Sequence, residues 1–301
     1  MRFCKYHALG NDYLVLDARH NRLPSAAERR RLCDRHFGLG SDGVLWGPLP
    51  ANSPEFERLA EEAGVTDLNG AMAGLRIFNP DGGEAEKSGN GLRIFARFLF
   101  DQGMLFDAPV RLLTLGGLVE VQVLAGGQAV RVDMGRVSFQ AGDIPVAGET
   151  GEVLQRSLHS GGREFIYSAA TIGNPHCVVV IDDDSVDLAD LVCSYGPGLE
   201  CHERFPRRTN VQFMRIHDRE TIEIAIWERG AGYTLASGSS ASACAAVARR
   251  LGLVEAAVTV RSPGGELRIM VDENFGVVLE GAVTAVADGE ARDEMLAYAY
   301  P

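Results

Sequence analysis

Two serines occupy matching settings far apart in the chain. Glu86-Lys87-Ser88-Gly89-Asn90-Gly91-Leu92-Arg93 sets Ser88 immediately before a Gly-Asn-Gly turn, and Ala236-Ser237-Gly238-Ser239-Ser240 sets Ser237 before a Gly-Ser pair. Leu92, Phe95, Leu99 and Phe100 follow the first serine at helical spacing, and a small-residue helix, Ala241 to Arg250, follows the second. The opening N–H groups of a helix have no partner within it, so each turn is a seat for an anion such as a carboxylate. A short polar side chain beside each seat can reach the α-carbon that bears that carboxylate. Two such groups on opposite faces, one removing a proton and one returning it, make a cofactor-independent racemase or epimerase by two-base acid–base catalysis. Asn11, Asn79, Asn174, Asn210 and Arg229, in turns or at strand ends, are available to orient the substrate.

The elements that must hold these residues follow in order. A strand, Arg2 to Tyr6, leads through the turn cluster His7 to Asp12 into a second strand, Tyr13 to Asp17. Ser25 and Glu28 stand at capping-box spacing and predict a helix to about His36. The glycine-rich loop Gly38 to Gly43 precedes a strand, Val44 to Trp46, and no βαβ unit surrounds it, so it is not read as a dinucleotide site. Residues 48–74 read as an insertion carrying a short amphipathic helix, Glu55 to Ala63; a strand from Leu75 to Phe78 and a tight turn at Asn79 to Gly83 then reach Ser88.

From Val110 onward strands dominate, and the chain repeats itself. Strand, Gly-Gly turn, strand, turn, strand runs from Leu112 to Gly135 and again from Val258 to Gly281, with Gly116 and Gly264 lying 28 and 27 positions beyond Ser88 and Ser237. Two copies of one α/β domain explain this better than two look-alike meanders. The second copy begins near Gly135. It contains strands at Phe165 to Ala169, Val178 to Ile181, Thr209 to Phe213 and Thr221 to Trp227, and a short helix, Leu188 to Cys193, behind the acidic stretch Asp182 to Asp187. The expected domains are 1–134, completed by 286–301, and 135–285.

With 301 residues, 46% hydrophobic and 23% charged, the composition is that of a soluble globular protein. A net charge of −12 without a basic block argues against nucleic acid as a partner, and small anions would have to be held by helix ends and single arginines. No apolar run reaches membrane-spanning length and the first residues lack a signal-peptide core, so a cytoplasmic setting without membrane association is expected. The six cysteines show no CxxC spacing and read as reduced thiols, with no metal site; Cys4, Cys33, Cys177 and Cys193 are expected to be buried. His20, His36, His159, His202 and His217 have no partner pattern and read as surface or structural.

Five ordered motifs carry a family resemblance across nearly the whole chain. His-x-x-Gly-Asn-Asp at 7–12, Asn-x-Asp-Gly-x-Glu-Ala-Glu at 79–86, Gly-Asn-Gly-x-Arg at 89–93, Gly-Asn-Pro-His at 173–176 and Glu-Arg-Gly-Ala-Gly at 228–232 resemble diaminopimelate epimerase. The resemblance implies an α+β fold of two pseudo-symmetric domains, each a β-barrel-like sheet around a central helix, with the active site in the cleft between. It implies an isomerase, independent of pyridoxal phosphate and of any other cofactor, that turns LL-diaminopimelate into the meso isomer for lysine and peptidoglycan synthesis, as a homodimer. It assigns Asn11, Asn79, Asn174, Asn210 and Arg229 to the distal amino-acid end of the substrate. Gly89, Asn90, Gly238 and Ser239 would cradle the reacting carboxylate, and His176 and Glu228 would each sit beside one base.

At both catalytic positions the family carries cysteine, and this chain carries Ser88 and Ser237. A free thiol ionises near pH 8.5, and a serine hydroxyl is a far weaker acid. Cys244 lies seven residues into its helix and is no substitute. Three readings stay open on the sequence: replacement of the cysteines to trap a ligand; a natural branch using His176 and Glu228 directly or through the serines, on this or another amino acid or as a lyase; or an inactive homologue that binds a diaminopimelate-like amino acid. Tyr233, where the family usually has an acidic residue, leans toward natural divergence.

Overall fold

The computed structural model describes residues 1–297. The chain forms two compact units, Met1–Asp133 together with the segment from Gly281 onward, and Met134–Glu280.

In the first unit β1 (Arg2–Ala8) and β2 (Asn11–Asp17) form an antiparallel hairpin, and α1 (Ala26–Cys33) leads to β3 (Val44–Pro50), parallel to β2. Next come α2 (Pro54–Ala63), β4 (Ala71–Phe78) antiparallel to β3, and the two-residue β5 (Glu84–Ala85) folded back on β4. After α3 (Gly89–Asp101), β6 (Val110–Thr114) lies parallel to β4, and β7 (Gly117–Leu124) and β8 (Ala129–Arg136) extend the meander.

The second unit repeats this plan. β9 (Arg156–Ser160) borders β10 (Arg163–Thr171), which pairs antiparallel with β11 (Pro175–Val180); α4 (Leu188–Glu200) leads to β12 (Asn210–Asp218), parallel to β11. β13 (Thr221–Glu228), β14 (Gly232–Thr234), α5 (Gly238–Arg250), β15 (Ala257–Ser262), β16 (Gly265–Val271) and β17 (Gly276–Ala282) then take the senses of their first-unit counterparts. The chain returns through β18 (Thr284–Glu290), antiparallel to β1 as β9 is to β10, and α6 (Asp293–Ala297). The repeat legible in the sequence is therefore a repeat of topology.

Each unit is sheet-dominated and wraps a central helix. α3 lies against β1, β2 and β7, burying Leu92, Ile94, Phe95, Phe98 and Leu99. α5 lies against β10 to β13, β15 and β16, but buries alanines, Cys244 and Val247, so its strands approach closely. Each buried Leu or Phe of α3 contributes about 1.5–3 kcal/mol.

The segment read as an insertion is shorter than 48–74: β3 runs to Pro50 and β4 begins at Ala71, so only the α2-bearing connection 51–70 stands where the equivalent β12–β13 connection is a tight turn between Asp218 and Thr221. Ser53 caps α2, Pro54 opens it, and Phe56 and Leu59 bury over Gly74, where a Cβ would stand 3.1 Å from both side chains.

Three sequence expectations are corrected. α1 ends at Cys33, not His36, because the Asp34 carboxylate accepts from His36 N and Phe37 N at 2.8 and 2.7 Å and turns the chain. α4 runs past Cys193 to Glu200 with Pro197 inside it, since burial of Leu199 and Glu200 outweighs the Gly-Pro-Gly break. That helix presents Cys193 to solvent, so it is exposed, while Cys33, Cys177 and Cys244 are buried and Cys4 is half-buried. Among the described residues, no helix is long and apolar enough to cross a membrane.

Candidate active site

In the first unit the short β5 turn delivers the chain to Ser88, which is the N-cap of α3 at φ −140°, ψ 117°. Its Oγ accepts from Gly91 N at 3.0 Å and is 3.3 Å from Tyr13 Oη. Gly89 opens the helix and is buried, as is Asn90. Asn90 donates to Asn11 Oδ1 at 2.9 Å, and Asn11 donates to Asp42 Oδ2 at 2.9 Å. From below, the fully buried Arg93 holds Asn90 Oδ1 at 2.5 Å and Ala282 O at 3.1 Å. Burial pulls its guanidinium down to about 10, and its Nε has no hydrogen-bond partner. A cation with no carboxylate on these two hydrogen bonds is therefore held against the Asn90 side chain at the α3 start, a charge of the sign that favours an anion there.

Asp42 belongs to the glycine-rich loop 38–43. There it accepts from Asp12 N at 3.1 Å and pairs with Arg35 at 2.7 Å, so the loop orients Asn11. Asn79 is exposed on the turn closed by Asn79 N to Gly83 O at 2.9 Å.

In the second unit Ser237 is the N-cap of α5 at φ −142°, ψ 124°, nearly the same backbone as Ser88. Its side chain does not cap the helix. Instead Ser237 Oγ donates to Glu228 Oε1 at 3.2 Å and lies 3.4 Å from Ser239 Oγ. Thr234 Oγ1 donates to Glu228 Oε2 at 3.2 Å, so both carboxylate oxygens are engaged. Asn174 donates to Ser239 Oγ at 3.4 Å, and its carbonyl faces His176 Nε2 at 3.0 Å. The orientation of that amide makes His176 Nε2 the protonated nitrogen, an assignment from the network.

His176 is fully buried, and burial carries its imidazole down to about 3. Gln212 beside it opposes the shift and Arg229 adds to it. Gln212 donates to Ser240 Oγ at 3.0 Å; its carbonyl and His176 Nδ1 both fall outside hydrogen-bonding geometry. His176 is thus neutral at physiological pH. Asn210 stands opposite it in the parallel β11–β12 register, donates to Pro175 O at 2.8 Å and accepts from Arg229 N at 2.9 Å. Gly238, buried at the head of α5, has its carbonyl taken by Ser242 Oγ at 2.7 Å.

The buried Glu200 holds the turn that carries Arg229, accepting from Trp227 Nε1 at 2.8 Å and Gly230 N at 3.0 Å. Each unit therefore sets a serine at the N-cap position of its central helix, with different chemistry at the two serines. Among the described residues, no group of three His, Cys, Asp or Glu side chains is placed to hold a metal ion.

The family model for diaminopimelate epimerase matches residues 3–140 and again 168–286. "Diaminopimelate epimerase 2" from Nostoc sp. is 47% identical over 99% of this chain and 98% of its own length. The chain belongs to the diaminopimelate epimerase family. A further relative, "Diaminopimelate epimerase" from Pelotomaculum thermopropionicum, is 37% identical over 96% of this chain and 98% of its own. Among solved structures, a probable proline racemase from Agrobacterium radiobacter K84 aligns with a TM-score of 0.70 at 16% identity, covering 99% of this chain and 96% of that one. A hydroxyproline epimerase from Agrobacterium vitis aligns at 0.66 and 16%, over 96% and 91%. At that identity these two show a common fold.

Within the family frame, residues that sequence reading missed stand out. Tyr13 follows the first motif as a plain strand residue, Asp42 sits in the glycine-rich loop that is not a dinucleotide site, and Glu200 lies beyond the expected end of α4. Arg93 was visible only as the last letter of the Gly-Asn-Gly-x-Arg motif.

Proposed function

We propose that the protein is a cofactor-independent amino-acid epimerase that inverts the α-carbon of LL-diaminopimelate to the meso isomer, for lysine and peptidoglycan synthesis. Ser88 and Ser237 are the proton-handling groups, one for each face of that carbon. The hydrogen bond from Ser237 Oγ to Glu228 carries the reading, because it gives a weakly acidic hydroxyl an adjacent carboxylate to receive its proton. When Ser237 takes the α-proton, its own proton passes to Glu228; the reverse transfer returns a proton to the carbon. Gly89, Asn90, Gly238 and Ser239 lie at the two helix starts that suit the reacting carboxylate, and the backbone N–H groups there stabilise the enolate charge that develops on it. Asn11, Asn79, Asn174, Asn210 and Arg229 take the distal amino-acid end, and His176, neutral, orients Asn174.

The names borne by relatives 47% and 37% identical support diaminopimelate as substrate. A cytoplasmic homodimer completes the proposal; six free cysteines suit a reducing compartment. The experiment is α-hydrogen exchange and inversion of LL- and meso-diaminopimelate in D₂O, followed by NMR with the wild type, Ser88→Ala and Ser237→Ala. Exchange and inversion by the wild type, with inversion lost in both variants, support the reading. Tight binding of diaminopimelate without exchange would instead establish an inactive homologue.

A further inference from the structure

The two serines do not share a chemical environment. Ser237 Oγ donates to a carboxylate, whereas Ser88 Oγ accepts from Gly91 N at 3.0 Å and meets the Tyr13 phenol at 3.3 Å. We infer that Tyr13 is a positioning residue that works through Ser88, holding its hydroxyl and relaying its proton as Glu228 does for Ser237. The inference rests on the two-base reading above.

Several observations carry it. The Tyr13 ring is buried in β2, and Gly43 makes room for it: a Cβ there would stand 2.5 Å from Tyr13 Cε1 and 2.6 Å from Phe78 O. The ring is therefore held in place by packing, and its hydroxyl is delivered to Ser88. A phenol ionises near pH 10, well below an aliphatic alcohol, so it is the better reservoir for a proton that Ser88 must gain or lose. With Gly91 N–H and Tyr13 Oη both at Ser88 Oγ, negative charge on that oxygen has two donors.

The proton balance is simple. In the returning step, Ser88 gives its proton to the carbanion, a C–H bond forms from the carbanion's electron pair, and Tyr13 reprotonates Ser88 as a tyrosinate. In the abstracting step the C–H bond breaks, its electrons stay on carbon, and the proton reaches Ser88 as the serine's own passes to the tyrosinate. The two serines are thus served unequally, a phenol beside Ser88 and a carboxylate beside Ser237.

The test is Tyr13→Phe, which keeps the ring against Gly43 and removes only the hydroxyl, assayed with both isomers of diaminopimelate in D₂O. Inversion should fall about 10²-fold or more. With return from Ser88 slowed, the isomer deprotonated by Ser237 should now gain deuterium faster than it inverts, whereas the isomer deprotonated by Ser88 should lose exchange and inversion together, with the melting temperature unchanged. Inversion within about threefold of wild type, or equal loss of exchange from both isomers, would overturn the inference while leaving the two-base reading standing. Absence of exchange from both isomers with the wild type would remove that reading and this inference with it.

Discussion

Replacing Glu228 by Gln removes the charge that, on the proposed relay, receives the Ser237 proton. The carboxylate is half-buried at the end of β13, its Oε1 3.2 Å from Ser237 Oγ and its Oε2 3.2 Å from Thr234 Oγ1. A glutamine carbonyl can keep one of these bonds, and a hydrogen bond to a charged rather than neutral acceptor is worth roughly 1 kcal/mol more. The folding cost should therefore stay near 1 kcal/mol. The catalytic cost should be much larger, since a neutral amide cannot take a proton. General-base contributions of about 10²–10⁴-fold correspond to roughly 2.7–5.5 kcal/mol of barrier. Exchange at the α-carbon of each isomer, with a denaturant melt on the same sample, separates the two costs. A Glu228→Gln enzyme with wild-type exchange would refute the relay through Ser237, and a melt shifted by several kcal/mol would show that the carboxylate is chiefly structural.

Three further outcomes are expected. Ser88→Cys with Ser237→Cys should raise the inversion rate, because a thiol ionises near pH 8.5 without a relay; no gain would point to a different ligand. His176 ionises near 3 in the fold against an ordinary 6.5, so the unfolded chain takes up the proton first. Stability should be full above pH 6.5 and fall as pH drops toward 3, by at most about 1.4 kcal/mol per unit, and His176→Gln should flatten that part of a stability-against-pH curve. Finally, burial raises the Cys177 and Cys244 thiols, whereas Cys193 and Cys201 are exposed; alkylation followed by mass spectrometry should label the second pair natively and the first only after unfolding.

The helix starts were legible because capping is local chemistry. Ser88 and Ser237 each precede glycine and a helical run, and both take the extended N-cap conformation. The domain repeat was legible because both copies kept the Gly-Gly turns of their meanders. What escaped was non-local. Tyr13 meets Ser88 across 75 positions, Asp42 meets Asn11 across 31, and Glu200 meets Gly230 across 30, distances over which spacing carries no signal. The end of α4 was misplaced for a related reason: Gly196-Pro197-Gly198 is a local break signal overridden by the burial of Leu199 and Glu200. Family motifs located Asn90 and Asn11, but the hydrogen bond between them and the cation beneath came only from the fold.

The central claim is that two different serines handle the proton on the two faces of one α-carbon. Its most direct test is the isotope content of product and recovered substrate after the first turnovers of LL-diaminopimelate in D₂O. Two separate bases give meso product carrying deuterium at the inverted carbon while the recovered LL isomer stays protiated. Product that retains the original hydrogen, or LL substrate that gains deuterium as fast as product forms, would mean that one group serves both faces and would contradict the account.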